Sequence, residues 1–218
     1  GEVRFGARVT KLVVKDERIT GVTLQDGTTV DATRVVLATG HSARDIFEML
    51  LAQGILIERK DFALGVRVEH SQTLIDQARY RMKERGEFLP PASYSEVAQV
   101  DGLGVYTFCM CPGGIVAPCA TAPEEVVTNG WSPSKRNNPF ANTGVVVEVK
   151  IEGGPLAGVE YQRKIERAAW EAGGKTQVAP GQRLVDFCEG RISKDLPISS
   201  YPPGLASARV DELLPKDI

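Results

Sequence analysis

Residues 34–40 read Arg34-Val35-Val36-Leu37-Ala38-Thr39-Gly40, an unbroken apolar run that closes on a small hydroxyl residue and a glycine. A run without alternation suits a strand covered on both faces, so the stretch predicts a parallel-type strand. In open α/β sheets ligands approach the backbone just beyond the carboxyl end of such strands. Ala38, Thr39, Gly40 and His41 therefore stand where a ligand would lie, and Gly40 carries no Cβ to obstruct it. Taken alone, the tripeptide serves equally well as a plain strand stop.

Upstream of this run, apolar and polar residues alternate over residues 8–15 and again over 19–24, on either side of Lys15-Asp16-Glu17-Arg18. That period predicts a hairpin of half-buried strands. Gln25-Asp26-Gly27-Thr28 then predicts a second turn, with positive φ at both central positions, leading to a third strand over 29–31. The order of parts, a meander, an Asp-Gly turn and an apolar strand ending Ala38-Thr39-Gly40, resembles the flavoproteins of the glutathione-reductase superfamily. The resemblance implies a meander inserted into an FAD domain, an Ala-Thr-Gly turn that runs close to the cofactor, and backbone near Val9 beside the adenine.

Downstream, Ser42 opens a stretch with apolar side chains at helical spacing that stops at Gly54, which predicts a short helix with Ser42 as its N-cap. Phe62-Ala63-Leu64-Gly65-Val66-Arg67-Val68-Glu69-His70 alternates like a strand, and a helix is expected to follow over 71–78. Gly104-Val105-Tyr106-Thr107-Phe108-Cys109-Met110-Cys111-Pro112-Gly113-Gly114 carries the chemistry that stands out. In a regular strand Cys109 and Cys111 share a face, so both thiols could meet a substrate or a flavin ring. Thiol chemistry needs a depressed pKa, and no sequence neighbour must supply it. The same pair serves equally as two small buried core side chains. A metal site has only His41, His70, Cys119 and Cys188 to add, at no recognisable ligand spacing, and none is expected. Pro112-Gly113-Gly114 reads as a tight turn that lets backbone approach something large, or as a simple loop. Residues 115–117 and 125–128 read as a strand pair, and the polar stretch 129–138 suits a carboxylate or phosphate as readily as bulk water.

Several segments together resemble the uncharacterised bacterial FAD-dependent dehydrogenases that carry a large inserted domain. They are Ala38-Thr39-Gly40-His41-Ser42-Ala43-Arg44-Asp45, the stretch from Phe62 to His70, Phe108-Cys109-Met110-Cys111-Pro112-Gly113-Gly114, Thr128-Asn129-Gly130-Trp131-Ser132 and the stretch from Ala179 to Phe187. The resemblance implies an oxidoreductase whose flavin performs the electron or hydride transfer, an unidentified small-molecule substrate, and NAD(P)H as a candidate donor. The glycine-rich loop that grips the FAD pyrophosphate in such proteins does not occur in the chain, nor does their C-terminal glycine-rich segment. The chain, which opens on Gly1, is accordingly expected to be a middle piece of a longer protein, binding no FAD by itself and inactive alone.

In the last third, residues 145–149 read as a buried strand, and a helix is expected after Gly153-Gly154-Pro155 with its apolar stripe at Leu156, Val159, Ile165 and Ala169. A short helix follows over 182–188, and four prolines beyond it predict an extended tail. The expected fold is α+β. An antiparallel meander and one parallel-type strand form part of an FAD domain over residues 1–45, and a mixed insert with its tail spans 46–218.

At 218 residues and 42% hydrophobic, the chain can bury a real core. A net charge of −2, from 26 basic and 28 acidic residues, sets up no field that would collect nucleic acid or an anionic membrane. No apolar run is long enough to span a bilayer, and no secretory leader opens the chain, so the expected location is cytoplasmic. Cys109 and Cys111 are the candidate catalytic residues, and Val9, Ala38, Thr39, Gly40, His41, Pro112, Gly113 and Gly114 the candidate cofactor contacts. The alternative is a non-catalytic binding or scaffold module that docks a protein or RNA partner.

Overall fold

The computed structural model describes residues 1–216, and the fold is α+β. By backbone contacts the chain divides into two units, residues 1–60 with 152–159, and residues 61–151 with 160–218.

The first unit holds β1 (Val9–Lys15), β2 (Arg18–Leu24), β3 (Thr29–Asp31) and α1 (Arg44–Ala52), with the strands in the order β1-β2-β3, all antiparallel. The meander expected from alternation is present. Its turns differ from expectation. The two-residue hairpin with both positions at positive φ is Asp16-Glu17, at 49° and 60°, although neither is glycine. At Asp26-Gly27 only Gly27 is left-handed, and the Asp26 carboxylate accepts from Thr28 N at 2.9 Å. That is a type I turn closed by a glycine bulge.

Leu12, Leu24 and Ile46 form this unit's buried centre, each worth roughly 1.5–3 kcal/mol by removal of its side chain from water. Gln53, just past α1, donates to Leu12 O at 2.8 Å and accepts from Leu12 N at 2.9 Å, so one side-chain amide pairs with β1 as a neighbouring strand would. The helix starts one residue later than expected, with Ala43 and not Ser42 at its N-cap position and no side-chain cap. Asp45 in its first turn instead pairs with Arg8 at 2.8 Å.

Residues 34–40 take no regular structure, with Val36 88% exposed, and this corrects the expected parallel-type strand. A strand buried on both faces needs neighbours for its N–H and C=O groups, and among the described residues none pairs with it.

The second unit is built on β4 (Phe62–Ser71), α2 (Gln72–Tyr80), β5 (Val97–Val100), β6 (Leu103–Cys111), β7 (Ile115–Pro118), β8 (Thr128–Trp131) and β9 (Phe140–Val149). Four strands form an antiparallel sheet in the order β4-β9-β6-β5, and β7 pairs with β8. The second strand of that small pair lies later than the expected residues 125–128. β9 is central, and Ala141, Asn142, Thr143 and Gly144 on it are buried. In an antiparallel ladder, residues directly opposite share a face. Arg67, Gly144 and Phe108 therefore form one row across the sheet, and Glu69, Asn142 and Cys111 the next.

The remaining elements are α3 (Ala157–Ala172), β10 (Ala179–Gly181), α4 (Leu184–Cys188), β11 (Leu205–Ser207) and α5 (Val210–Leu213). α3 ends at Gly173-Gly174, as its sequence predicts, with Gly173 N on Ala169 O at 2.9 Å. The proline-bearing end does not run out as an extended tail. β11 pairs parallel with β10, and Tyr201, 3% exposed, packs into a core of Val116, Val126 and Ala179 while its hydroxyl donates to Gln177 O at 2.9 Å. A large aromatic ring gains most by burial, and its one polar atom is satisfied there.

Candidate functional site

Cys109 and Cys111 sit at the end of β6, where the strand is irregular. Between Phe108, opposite Gly144, and Cys111, opposite Asn142, β6 spends one more residue than β9. Cys109 takes a left-handed φ of 51° at this bulge. A bulge breaks the two-residue period. It puts Cys111 on the same face as Phe108, where unbroken alternation would have placed Cys111 opposite. Cys111 is 8% exposed and directs its Sγ to Cys109 O at 3.3 Å, while Cys109 lies at the surface.

The face onto which Cys111 turns is organised by Arg67. Its Nη1 donates to Asn142 Oδ1 at 2.7 Å and its Nη2 to Asn129 Oδ1 at 3.3 Å, and Asn129 Oδ1 also accepts from Gly130 N. Asn142 is fully buried. Gly130 makes the arrangement sterically possible, because a Cβ there would lie 2.0 Å from Asn142 Oδ1 and 2.5 Å from Arg67 Nη1. Neither Arg67 Nε nor Asn142 Nδ2 has an acceptor among the described residues, although both atoms are shielded from solvent. Burial pushes the Arg67 guanidinium down from its ordinary value, and the thiols of Cys111, Cys109 and Cys119 act on it in the opposite sense.

For Cys111 the balance is reversed. Burial pushes its thiol above the ordinary range, and that effect exceeds the favourable charge of Arg67. The buried thiol is thus held in its protonated form, whereas Cys109, Cys119 and Cys188 are exposed. Among the described residues no group of three His, Cys, Asp or Glu side chains is placed to hold a metal ion.

The Pro112-Gly113-Gly114 turn is buried, and the close approach its glycines allow is made by the chain's own backbone. A Cβ on Gly113 would meet Arg136 O at 1.9 Å, and one on Gly114 would meet Trp131 O at 2.6 Å. Gly113 N donates to Gln72 Oε1 at 2.7 Å, and the buried Gln72 amide in turn donates to Asp76 at 2.7 Å and to Ala92 O at 3.0 Å. Further along the same face, Glu69 takes Ser200 N on both carboxylate oxygens at 3.2 Å and also receives the Ser200 hydroxyl, which accepts from Val116 N at 2.8 Å. Glu69 is thereby committed to holding the C-terminal segment.

Val9, Ala38, Thr39, Gly40 and His41 belong to the first unit. Residues 38–41 are exposed, Gly40 has φ of 80°, and nothing lies within 4 Å of where its Cβ would be. The pyrophosphate of a dinucleotide needs a glycine-rich loop leading into a helix N-terminus, and residues 1–216 contain no such loop.

Sequence reasoning singled out the thiols, and missed Arg67 and Asn142. In Leu64-Gly65-Val66-Arg67-Val68-Glu69 an arginine at an alternate position reads as the wet face of a strand. The one signal that could have located it is Asn142-Thr143-Gly144 ahead of an unbroken valine run, polar residues inside a strand otherwise patterned for burial.

Comparison with known proteins gives two findings. Residues 61–218 match the family model described as FAD-dependent protein, C-terminal domain-like. An uncharacterised protein of Clostridium beijerinckii is 38% identical over 223 residues, an alignment that covers 99% of this chain and 42% of the relative. The chain spans less than half the length of that relative. Among the described residues no helix is long and apolar enough to cross a membrane.

Proposed function

Because the chain belongs to the FAD-dependent protein, C-terminal domain-like family, we propose that the whole protein is an FAD-dependent oxidoreductase, a dehydrogenase of the glutathione-reductase-like kind, in which residues 61–218 form the substrate side. FAD, when bound, supplies the electron or hydride transfer. The chain's own residues have other tasks. Arg67, held by Asn142 and Asn129, fixes a positive charge on the sheet face where Cys111 turns inward and Phe108, 57% exposed, offers an apolar surface. Cys111 holds its proton on Sγ, and Cys109, at the bulge, is the thiol that a substrate can reach. Thr39, Gly40 and His41 present open backbone toward the nucleotide.

One observation carries this reading: a half-buried arginine that pairs with no carboxylate among the described residues and feels the thiols of Cys109, Cys111 and Cys119, in a domain shared with FAD-dependent proteins. Four free cysteines suit a reducing compartment, and we place the protein in the cytoplasm on that ground.

The test is an absorption spectrum of the full-length protein before and after NADH or NADPH. Bound flavin that bleaches on addition of either donor is expected, and a preparation without flavin overturns the reading. A full-length Cys109→Ser, Cys111→Ser double variant then assigns the thiols. Loss of flavin reduction in that variant keeps them in the mechanism, and unchanged reduction removes them.

A further inference from the structure

We propose that Arg67 and Asn142 form a binding site for the carboxylate group of a small-molecule substrate. This rests on the reading of residues 61–218 as the substrate side of a flavoprotein, and it names the chemistry that side selects.

An arginine can only donate. Asn142 must therefore turn Oδ1 toward Nη1, which fixes the amide and commits Nδ2 to pointing away as a second donor, one amide width from the guanidinium. The described residues provide an acceptor for neither Nδ2 nor Arg67 Nε. Asn142 is 0% exposed, so its amide cannot turn to bulk water for a partner.

Charge points the same way. Buried cations are ordinarily matched by an acid, since desolvating an unpaired charge is costly. Among the described residues no carboxylate pairs with Arg67. Glu69, two residues along on the same face, is engaged by Ser200. Cys111 is kept protonated by its burial and supplies no anion. The Arg67–Asn142 pair thus offers two unpaired donors beside a positive charge that no carboxylate among the described residues matches, which favours a ligand that accepts hydrogen bonds and carries one negative charge. A carboxylate has that composition, and a planar guanidinium edge matches its two oxygens. A phosphate dianion would leave a negative charge unmatched.

Entry has a defined route. The Nη2 contact to Asn129 is the long one at 3.3 Å and lies at the surface, and Asn129 is an exposed residue on β8. Rotation of that side chain frees Nη2 while Asn142 holds Nη1 in place. Phe108, next to Arg67 in the same cross-sheet row, gives the remainder of the ligand an apolar wall.

The test is calorimetric titration of the full-length flavoprotein with acetate, and separately with inorganic phosphate, at constant ionic strength. Saturable acetate binding is expected. Arg67→Lys, which keeps the charge but loses the fork, should weaken it at least about tenfold. Asn142→Asp, which places an internal carboxylate against the guanidinium, should abolish it while leaving the melting temperature equal or higher. Absence of saturable acetate binding overturns the proposal, as does undiminished binding in Asn142→Asp. Phosphate binding more tightly than acetate overturns the choice of ligand class. The oxidoreductase reading is scored separately, by bleaching of the flavin with NADH or NADPH in the absence of acetate. Bleaching without acetate binding sinks the site alone, and acetate binding without bleaching sinks only the oxidoreductase reading.

Discussion

Arg67 reaches Asn142 on the diagonal of the β4–β9 ladder, Nη1 to Oδ1 at 2.7 Å, because the residue directly across from it is Gly144. With no side chain on Gly144 the guanidinium can lie along the sheet, and Gly130 on β8 leaves room above the contact. Two glycines and one buried amide thus position a single charge.

Gly130→Ala should lower stability by about 1–3 kcal/mol, the range for forcing extra volume into a packed site. The added methyl would overlap Asn142 Oδ1 and Arg67 Nη1, neither of which can retreat without giving up its bond. Chemical denaturation measures the change. A loss below a few tenths of a kcal/mol would mean that β8 is free to lift away.

Asn142→Leu keeps the volume and removes the acceptor. The cost should be about 3 kcal/mol, because a partly buried guanidinium then loses its shortest bond. In a double-mutant cycle with Arg67→Met the two changes should couple by roughly 1–3 kcal/mol, the double variant losing less than the sum of the singles. Additive effects would show that the pair is not a unit.

Alkylation with iodoacetamide near neutral pH should modify Cys109, Cys119 and Cys188 first, since these are exposed. Cys111 should lag behind all three, because burial raises its pKa, lowers its thiolate fraction and shields its sulfur. Peptide mass spectrometry over time gives the order. Early labelling at Cys111 would mean that the end of β6 opens readily.

His70 and Tyr94 each add a pH dependence to stability. Their side chains meet at 2.7 Å, and burial lowers the His70 pKa and raises that of Tyr94. The folded protein therefore favours neutral His70, while the unfolded chain takes up a proton below about pH 6.5, so stability should fall as the pH drops through that point. For Tyr94 the loss comes on the alkaline side, above about pH 10. Denaturation midpoints across this range are expected to be flatter on the acid side for His70→Gln. An unchanged acid limb in that variant would assign it to other groups.

Glu17→Gly should raise stability by roughly 0.5–1 kcal/mol. Glu17 holds φ of 60° in a two-residue hairpin turn, where an L side chain is strained and glycine is not, and the relief exceeds the added freedom of the unfolded chain. Thermal unfolding of the variant checks the sign.

The sequence by itself determined the local order: the meander, the strand running into a helix at Ser71, the glycine stop of α3 and the turn at Pro112-Gly113-Gly114. Each is set by period or by backbone freedom within a few residues, and these signals survive without knowledge of neighbours. It also carried the family, through segments spread from the meander to Phe187. Residues 34–40 were misread because an apolar run specifies that a strand can be buried, and only partners across the ladder decide whether it is. The tertiary structure alone decided the site. A bulge one residue long chose the face on which Cys111 lies, the register of β4 on β9 brought Arg67 to Asn142 from 75 residues away, and Gly130 matters only because β8 crosses above them. Register and close approach depend on long-range contacts, and no alternation of apolar and polar residues records which two will meet.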